Sequence, residues 1–404
     1  MFMGEKELKN FFESYLKKDP LFKDKKALQS NYTPKNVPHR DEQINSLAGI
    51  LAPALRGEKP SNVFIYGKSG TGKTLCVKHV SDNMLNIARE KDIPLLVFYL
   101  NCKMKRVADT EYRLVAQLSR EFGVEVPATG LPTDEIYKVF VNELDKKKIL
   151  LVIILDEIDQ LVMKTGDEIL YNFTRLNAEL KNSEVSIIGI SNDLVFTDNL
   201  DPRVKSSLSE EELVFPPYNA IQLQKILMQR AKLAFKENII EEGVIEKCAA
   251  YAAREHGDAR RALELLRISG ELAERSNKPK ITMNFIDKAE EKIEKDRILD
   301  IVTTQPKQFK LTLYSIFHSV KGNDGNVFTS DIYEYYKDTC FKTGIKPLTQ
   351  RRVSDIIAEL DMLGIINAKV ISKGRYGRTR EISLAIPQST IPKVQEILKD
   401  GLNL

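Results

Sequence analysis

The stretch from Asn62 to Thr74 constrains this chain more than any other: a short apolar run, Val63-Phe64-Ile65-Tyr66, delivers the backbone into Gly67-Lys68-Ser69-Gly70-Thr71-Gly72-Lys73-Thr74. The pattern is G-x-x-x-x-G-K-T, that of a phosphate-binding P-loop. Its glycines let backbone N–H groups face inward around a phosphate, Lys73 can reach the β and γ phosphates, and the Thr74 hydroxyl can ligate Mg²⁺. Leu75, Val77, Val80, Met84, Ile87 and Ala88 follow at helical spacing, so the loop opens a helix whose N-terminal dipole favours an anion. Gly67, Lys68, Ser69, Gly70, Thr71, Gly72, Lys73, Thr74 and Leu75 are the expected nucleotide-binding set.

A P-loop requires an acidic partner. The apolar run Ile149 to Leu155 supplies it by ending in Asp156-Glu157-Ile158-Asp159. Placed at the carboxyl end of a strand beside the P-loop strand, Asp156 can hold Mg²⁺ through water, and Glu157 can orient and deprotonate an attacking water. A further strand, Val185 to Ile190, ends at Ser191-Asn192-Asp193. Asn192 there is either a γ-phosphate sensor or the head of an Asx turn. With Leu95 to Cys102 and Leu213 to Phe215, five apolar strands alternate with helical stretches. That order predicts an α/β fold with a parallel sheet and the nucleotide at the strands' carboxyl ends.

The length of 404 residues predicts about two to four globular domains. No apolar run approaches the roughly 20 residues of a bilayer span, and the N-terminus lacks a signal-peptide core, so a soluble intracellular protein without membrane partners is expected. The cysteines Cys76, Cys102, Cys248 and Cys340 form no C-x-x-C pair and read as buried thiols rather than a disulfide framework or zinc site. The net charge of +4 lies entirely in the last quarter: from Asp300 onward there are 15 Lys/Arg against 11 Asp/Glu. Lys369, Lys373, Arg375, Arg378 and Arg380 fall there without an intervening acid, a local basic surface suited to a polyanion.

Residues 1–30 read as a short helix or a loosely held arm, and 31–217 as the nucleotide-binding domain. Two prolines, Pro34 and Pro38, force extended backbone just upstream of the P-loop strand, well placed to pack against a base. His39 and Arg40 are either part of that base-packing segment or a surface turn, the reading that spacing alone favours. Lys103 to Phe122, with Lys105, Arg106 and Arg113, is either a basic DNA-contacting helix outside the sheet or an ordinary covering helix. Residues 218–297 read as an all-helical domain in which Gly257-Asp258-Ala259-Arg260-Arg261 opens the last helix. Cations at that end oppose the helix dipole, which makes sense beside an anion. In residues 298–404, three helices precede two strand-like runs joined by Lys373-Gly374-Arg375-Tyr376-Gly377-Arg378. Thr349 caps the third helix, leaving Gln350, Arg351 and Arg352 in its first turn, the turn that meets base edges in helix-turn-helix proteins. The hairpin reads as a wing that can set Arg375 or Arg378 against phosphates or in a minor groove.

With its P-loop, Asp156-Glu157, Asn192, Arg203 and Gly257-Asp258-Ala259-Arg260 in this order ahead of a winged helix, the chain resembles the archaeal replication-initiator family of AAA+ ATPases. These are the archaeal relatives of the largest origin-recognition subunit and of the cell-division-control helicase-loading factor. The resemblance implies an AAA+ domain, a helical lid and a winged helix, with ATP or ADP and Mg²⁺ as cofactors. It implies that Val37 and Pro38 lie at the adenine, that Asn192 is sensor 1 and Arg260 sensor 2, and that Arg203 is an arginine finger acting on a neighbouring molecule. Tyr218 and Arg230 match positions around the nucleotide, and Lys103 to Leu118 matches an insertion that contacts DNA.

The expected protein is therefore a weak ATPase that binds double-stranded origin DNA at the nucleoid in the cytoplasm. It would recruit or load a minichromosome-maintenance-type helicase, with self or paralogue association on DNA. A nucleotide-gated transcription regulator, a negative-regulator paralogue and a motor or clamp-loader subunit are the alternatives.

Overall fold

A strand can be apolar along its whole length only where both its faces are covered. In the computed structural model this holds for β3 (Leu150–Asp156), all seven of whose residues are buried. The structure describes residues 8–9, 12–13, 19–34, 36–103, 110–127, 132–322, 327–372, 378–402 and 404, and divides into two compact units, Met1–Ile286 and Asp287–Leu404.

In the first unit, β1 (Val63–Tyr66), β2 (Leu95–Asn101), β3, β4 (Glu184–Ser191) and β5 (Glu211–Val214) form one parallel sheet in the order β2-β3-β4-β1-β5. The strand carrying Asp156 is thus not beside the P-loop strand, as the sequence reading placed it. β4, buried along seven of its eight residues, takes the central place between them. The carboxyl ends of β1, β3 and β4 still share one edge, so the separation leaves the site intact.

Around the sheet lie α1 (Asp41–Leu51), α2 (Lys73–Glu90), α3 (Glu111–Glu121), α4 (Thr133–Lys147), α5 (Ile158–Thr165), α6 (Glu168–Arg175) and α7 (Pro202–Leu208). One core gathers Val77, Val80 and Met84 of α2 with Leu47 and Leu51 of α1. A second gathers Leu114, Val115 and Leu118 of α3 with Ile136 and Phe140 of α4. α3 is therefore a covering helix, capped by the Thr110 hydroxyl, with Arg113 on its exposed side.

The lid helices are α8 (Ala220–Ala234), α9 (Val244–Arg254) and α10 (Ala259–Arg275). Asn219 and Gln222 form a capping box at the start of α8, and Asp258 caps α10 through the Arg260 and Arg261 amides. Residues 19–28 are docked here rather than loosely held. Phe22 pairs with Phe235 at 4.6 Å between ring centroids, the Lys23 amide donates to the Ala234 carbonyl at 2.7 Å, and Lys25 reaches Glu271 at 2.7 Å. Gly270 makes the seat, because a Cβ there would stand 2.6 Å from the Phe22 ring and 2.8 Å from that of Phe235. The pocket exists only in the packed lid, which is why composition alone left this segment free.

α11 (Met283–Thr304) carries the boundary between the units, and the expected limit at residue 297 falls further along the same helix. The second unit holds α12 (Lys307–Gly322), β6 (Val327–Phe328), α13 (Thr329–Thr343), α14 (Gln350–Met362), β7 (Ile366–Ser372), β8 (Arg378–Leu384) and α15 (Ile391–Leu402). Its sheet is antiparallel in the order β6-β8-β7. β6 and α15 are additions to the sequence reading; α15 buries Val394, Leu398 and Leu402 at four-residue spacing against the helical core.

Candidate nucleotide site and nucleic-acid interface

The P-loop conformation demands glycine at three points, the first being Gly67, where a Cβ would stand 2.4 Å from the Phe215 carbonyl oxygen. At Gly70 (φ 71°) a Cβ would stand 1.7 Å from Asp258 Oδ1, and at Gly72 (φ 92°) one would stand 2.9 Å from the Tyr218 hydroxyl. The lid therefore closes directly on the loop, and the Ala259 amide donates to the Gly70 carbonyl at 3.2 Å. Gly72 begins α2 without a side-chain cap, leaving that end's backbone donors for an anion.

Lys73 is buried, and its ammonium donates to the Gly67 carbonyl (2.6 Å), the Lys68 carbonyl (2.9 Å) and Asn192 Oδ1 (2.8 Å). Burial lowers its pKa to about 8 with help from the positive charge of Arg260, against the opposing pull of Asp156. Thr74 Oγ1 donates to Asp156 Oδ2 at 2.9 Å, joining the two residues expected at a divalent cation. Asp156 is itself buried and accepts two further bonds, from the Tyr99 hydroxyl to Oδ2 (2.6 Å) and from the Glu157 amide to Oδ1 (3.0 Å). Burial and the neighbouring carboxylate push the Tyr99 phenol well above its ordinary value, so it remains a donor.

Glu157 adopts φ 55°, a left-handed conformation unusual for a side chain of its kind, and its carboxylate lies 3.6 Å from Lys103. Asp159, which the sequence left without a role, accepts from Ser191 Oγ at 3.0 Å and from the Asn192 amide at 3.4 Å. It thereby fixes the turn that presents Asn192 to Lys73. An uncapped helix N-terminus, an ammonium, and a hydroxyl beside a buried carboxylate are the donor set that fits a polyphosphate with a divalent cation.

Arg40 overturns the surface-turn reading. It is 2% exposed, donates Nε to the Thr71 carbonyl (2.9 Å) and a terminal nitrogen to the Pro216 carbonyl (2.5 Å), and lies 3.9 Å above the Tyr218 ring. Two prolines and a turn hid a cation that ties the P-loop to the start of the lid. The signal that could have found it was the aromatic and proline cluster Phe215-Pro216-Pro217-Tyr218, whose free carbonyls and ring face suit a guanidinium. Val37 is buried in the α1–α2 core and Pro38 is half-buried. Arg230, 8% exposed, stacks 4.3 Å over the Tyr32 ring and donates to the Tyr32 carbonyl at 3.4 Å.

Arg260 is exposed at the first turn of α10, and Lys68 meets His256 at 3.4 Å across the lid boundary. Arg203 behaves differently. Its contacts are a two-point pairing with Asp201 (3.0 and 2.9 Å) and the face of Tyr171 at 5.2 Å, and 71% of its side chain is exposed. It faces solvent on α7 rather than joining the cluster around Lys73.

Among the expected nucleic-acid contacts, Gln350, Arg351 and Arg352 occupy the exposed first turn of α14, with the Thr349 hydroxyl accepting from the Arg352 amide. Arg380, also expected among the DNA contacts, is half-buried and donates to the Ser354 carbonyl at 2.7 Å, bracing β8 against α14. Lys105, Arg106, Arg375, Tyr376 and the Arg378 side chain lie outside the described residues.

Three family models match in register with this architecture: an AAA ATPase domain over residues 36–183, a Cdc6 AAA+ ATPase-type lid domain over 224–291, and a Cdc6 C-terminal winged helix domain over 300–394. An ORC1-type DNA replication protein of Thermococcus onnurineus is 53% identical over 388 residues, covering 95% of this chain and 93% of that protein. The chain belongs to the ORC1-type DNA replication protein family. The Pyrococcus furiosus member is 52% identical over 402 residues, 98% of this chain and 94% of its own. Among solved structures, the Aeropyrum pernix ORC1 protein in complex with DNA is 43% identical, with a TM-score of 0.82 over 95% of this chain and 98% of that one. The resemblance drawn from the motifs is thus the family found, as are the parallel-sheet AAA+ domain, the lid and the winged helix. This ORC1-type chain carries an ATPase domain of a nucleotide-binding fold, and among its described residues no helix is long and apolar enough to cross a membrane.

Proposed function

We propose that this chain is an ATP-dependent replication initiator that binds origin DNA, hydrolyses ATP slowly as a switch, and recruits or loads a minichromosome-maintenance-type helicase. The observation that carries the reading is the convergence of Lys73, Thr74, Asp156 and Asn192 at one P-loop, in a chain 43% identical to a protein solved in complex with DNA. Residues 31–217 bind nucleotide, 218–297 form the lid and 298–404 bind DNA.

Thr74 and Asp156 would hold Mg²⁺, which would supply neutralisation of charge on the phosphates. Lys73 exchanges its P-loop carbonyls for phosphate oxygens while Asn192 keeps it in place. Glu157 orients water and takes its proton. Arg260 brings positive charge from the lid. Arg203, exposed and presented by Asp201, acts on the site of a neighbouring copy, which makes self-association on DNA part of the mechanism. Val37, Pro38, Tyr218 and Arg230 shape the base side. On DNA, Gln350, Arg351 and Arg352 meet base edges, while Arg113, Lys105, Arg106 and the wing residues Arg375, Tyr376 and Arg378 meet the backbone or minor groove.

The test is quantitative binding of the ATP-loaded protein to origin and scrambled duplexes at moderate salt. Preference for the origin duplex, lost on replacing Arg351, Arg352 and Arg378 with Ala, is the expected result. Equal affinity for both duplexes, unaffected by these changes, would sink the origin-reading claim. Single-turnover hydrolysis with and without DNA separates a switch from a motor, which DNA should stimulate strongly.

A further inference from the structure

The carboxylate of Asp156 is held by three donors. Thr74 Oγ1 and the Tyr99 hydroxyl bond Oδ2, and the Glu157 amide bonds Oδ1. The Glu157 bond comes from the adjoining residue, and the Thr74 hydroxyl has a second task facing the cation. Of these three donors, Tyr99 alone stands outside both the P-loop and the end of β3.

Its placement is built by the sheet. β2 and β3 run parallel with Tyr99 opposite Ile154 and Asn101 opposite Asp156, so the phenol spans two residues diagonally to reach the carboxylate at 2.6 Å. Lys78 lies over the ring, its ammonium 3.8 Å from the ring centroid. Lys78 belongs to α2, the helix that begins with Lys73 and Thr74. A cation over the ring draws electron density from the phenol oxygen and strengthens its O–H as a donor.

We propose that Tyr99 is a positioning residue for the nucleotide site: its hydroxyl fixes the rotamer of Asp156 and thereby sets how firmly the site holds a divalent cation. The inference rests on the metal-holding role of Asp156 proposed above. A buried carboxylate with one oxygen pinned by a neutral donor presents the rest of its acceptor capacity in a single direction, as outer-shell partners do at metal sites. Without the phenol, Oδ2 keeps Thr74 alone and the carboxylate is free to rotate. Nothing in the sequence signals this, since Tyr99 in an apolar strand reads as a core aromatic.

The experiment measures release of a fluorescent ADP from the full-length protein in excess EDTA and over a series of Mg²⁺ concentrations. The variants are Tyr99→Phe, which keeps the ring and its cation, and Lys78→Met, which keeps the hydroxyl. For Tyr99→Phe the Mg²⁺ concentration giving half of the full slowing should rise about tenfold, with release in EDTA within about twofold of wild type. Lys78→Met should shift the midpoint the same way by a smaller factor, and carries the test if Tyr99→Phe does not fold. An unchanged Mg²⁺ midpoint in both variants overturns the assignment. So does equal acceleration in EDTA and Mg²⁺, because a merely structural role would produce it. Wild-type protein that holds ADP without any response to Mg²⁺ would instead remove the reading of Asp156, and the Tyr99 assignment with it.

Discussion

The guanidinium of Arg40 lies 3.9 Å above the ring of Tyr218 while donating to the Thr71 and Pro216 carbonyls. One buried cation thus joins the segment before α1, the P-loop, the end of the sheet and the first residue of the lid. Replacing Arg40 with Ala leaves the buried Thr71 carbonyl without its donor, frees the Pro216 carbonyl and bares the Tyr218 ring, at a cost of about 1 to 3 kcal/mol. Arg40→Lys should recover little, since an ammonium cannot stack flat and span both carbonyls. Thermal unfolding followed without nucleotide should show a lower midpoint for both variants, with nucleotide affinity falling in parallel. A wild-type midpoint for Arg40→Ala would contradict this account.

Lys103 pairs with Glu157 at 3.6 Å, with 69% and 22% of the two side chains exposed. An exposed pair of this kind contributes under about 1 kcal/mol to stability, so Lys103→Ala should melt like wild type. Its effect should appear in the chemistry. Freed from the ammonium, the carboxylate becomes available to water, and single-turnover hydrolysis should rise several-fold at unchanged nucleotide affinity. A slower rate would mean that Lys103 helps Glu157 rather than restraining it.

What the sequence made legible here was what is local. Lys73, Thr74, Asp156 and Asn192 sit in short motifs whose spacing already encodes their chemistry, and the structure brings them within hydrogen-bond reach. Arg40 and Tyr99 were illegible because each acts on a partner far along the chain: Pro216 and Asp156. Strand order was illegible for a related reason. Apolar runs of equal quality do not say which is central, and β4 took the place assumed for β3. α14 announced itself through its Thr349 cap and its periodicity, and the lid helices through their apolar patterning, whereas β6, two residues long, carries too little pattern to read.

The docking of residues 19–28 on the lid should be separable from folding of the sheet domain. Phe22 is half-buried against Phe235, so Phe22→Ala should cost about 1 to 3 kcal/mol, less than a fully buried Phe. Gly270→Leu fills the seat outright. Both variants should expose Lys23, Lys25 and Lys26 to trypsin, giving an early cut there while the rest of the chain stays resistant. Cleavage no faster than in wild type would show that the Lys23 and Asp24 amide bonds to Ala234 hold the segment without the ring.

Lys73 gives the site a pH dependence whose sign follows from its environment. Burial lowers its pKa from 10.5 to about 8 in the nucleotide-free protein. Below pH 8 the ammonium is charged in the folded and unfolded chain alike, and its burial penalty is fully present. Between about 8 and 10.5 the unfolded chain binds more protons than the folded one, so the stability of the free protein rises with pH across that window. Phosphate oxygens beside the ammonium raise its pKa again, so nucleotide binding above pH 8 must take up a proton, and nucleotide affinity should fall by up to about tenfold per pH unit there. Calorimetric titration with ADP in two buffers of different ionisation enthalpy reads the uptake directly. At pH 9 the nucleotide phosphates are already fully deprotonated, leaving Lys73 as the acceptor; near pH 7 the ammonium is already charged and contributes nothing. An absence of proton uptake at pH 9 would mean that Lys73 keeps its ordinary pKa and that the enclosed ammonium is better solvated than its three bonds to Gly67, Lys68 and Asn192 indicate.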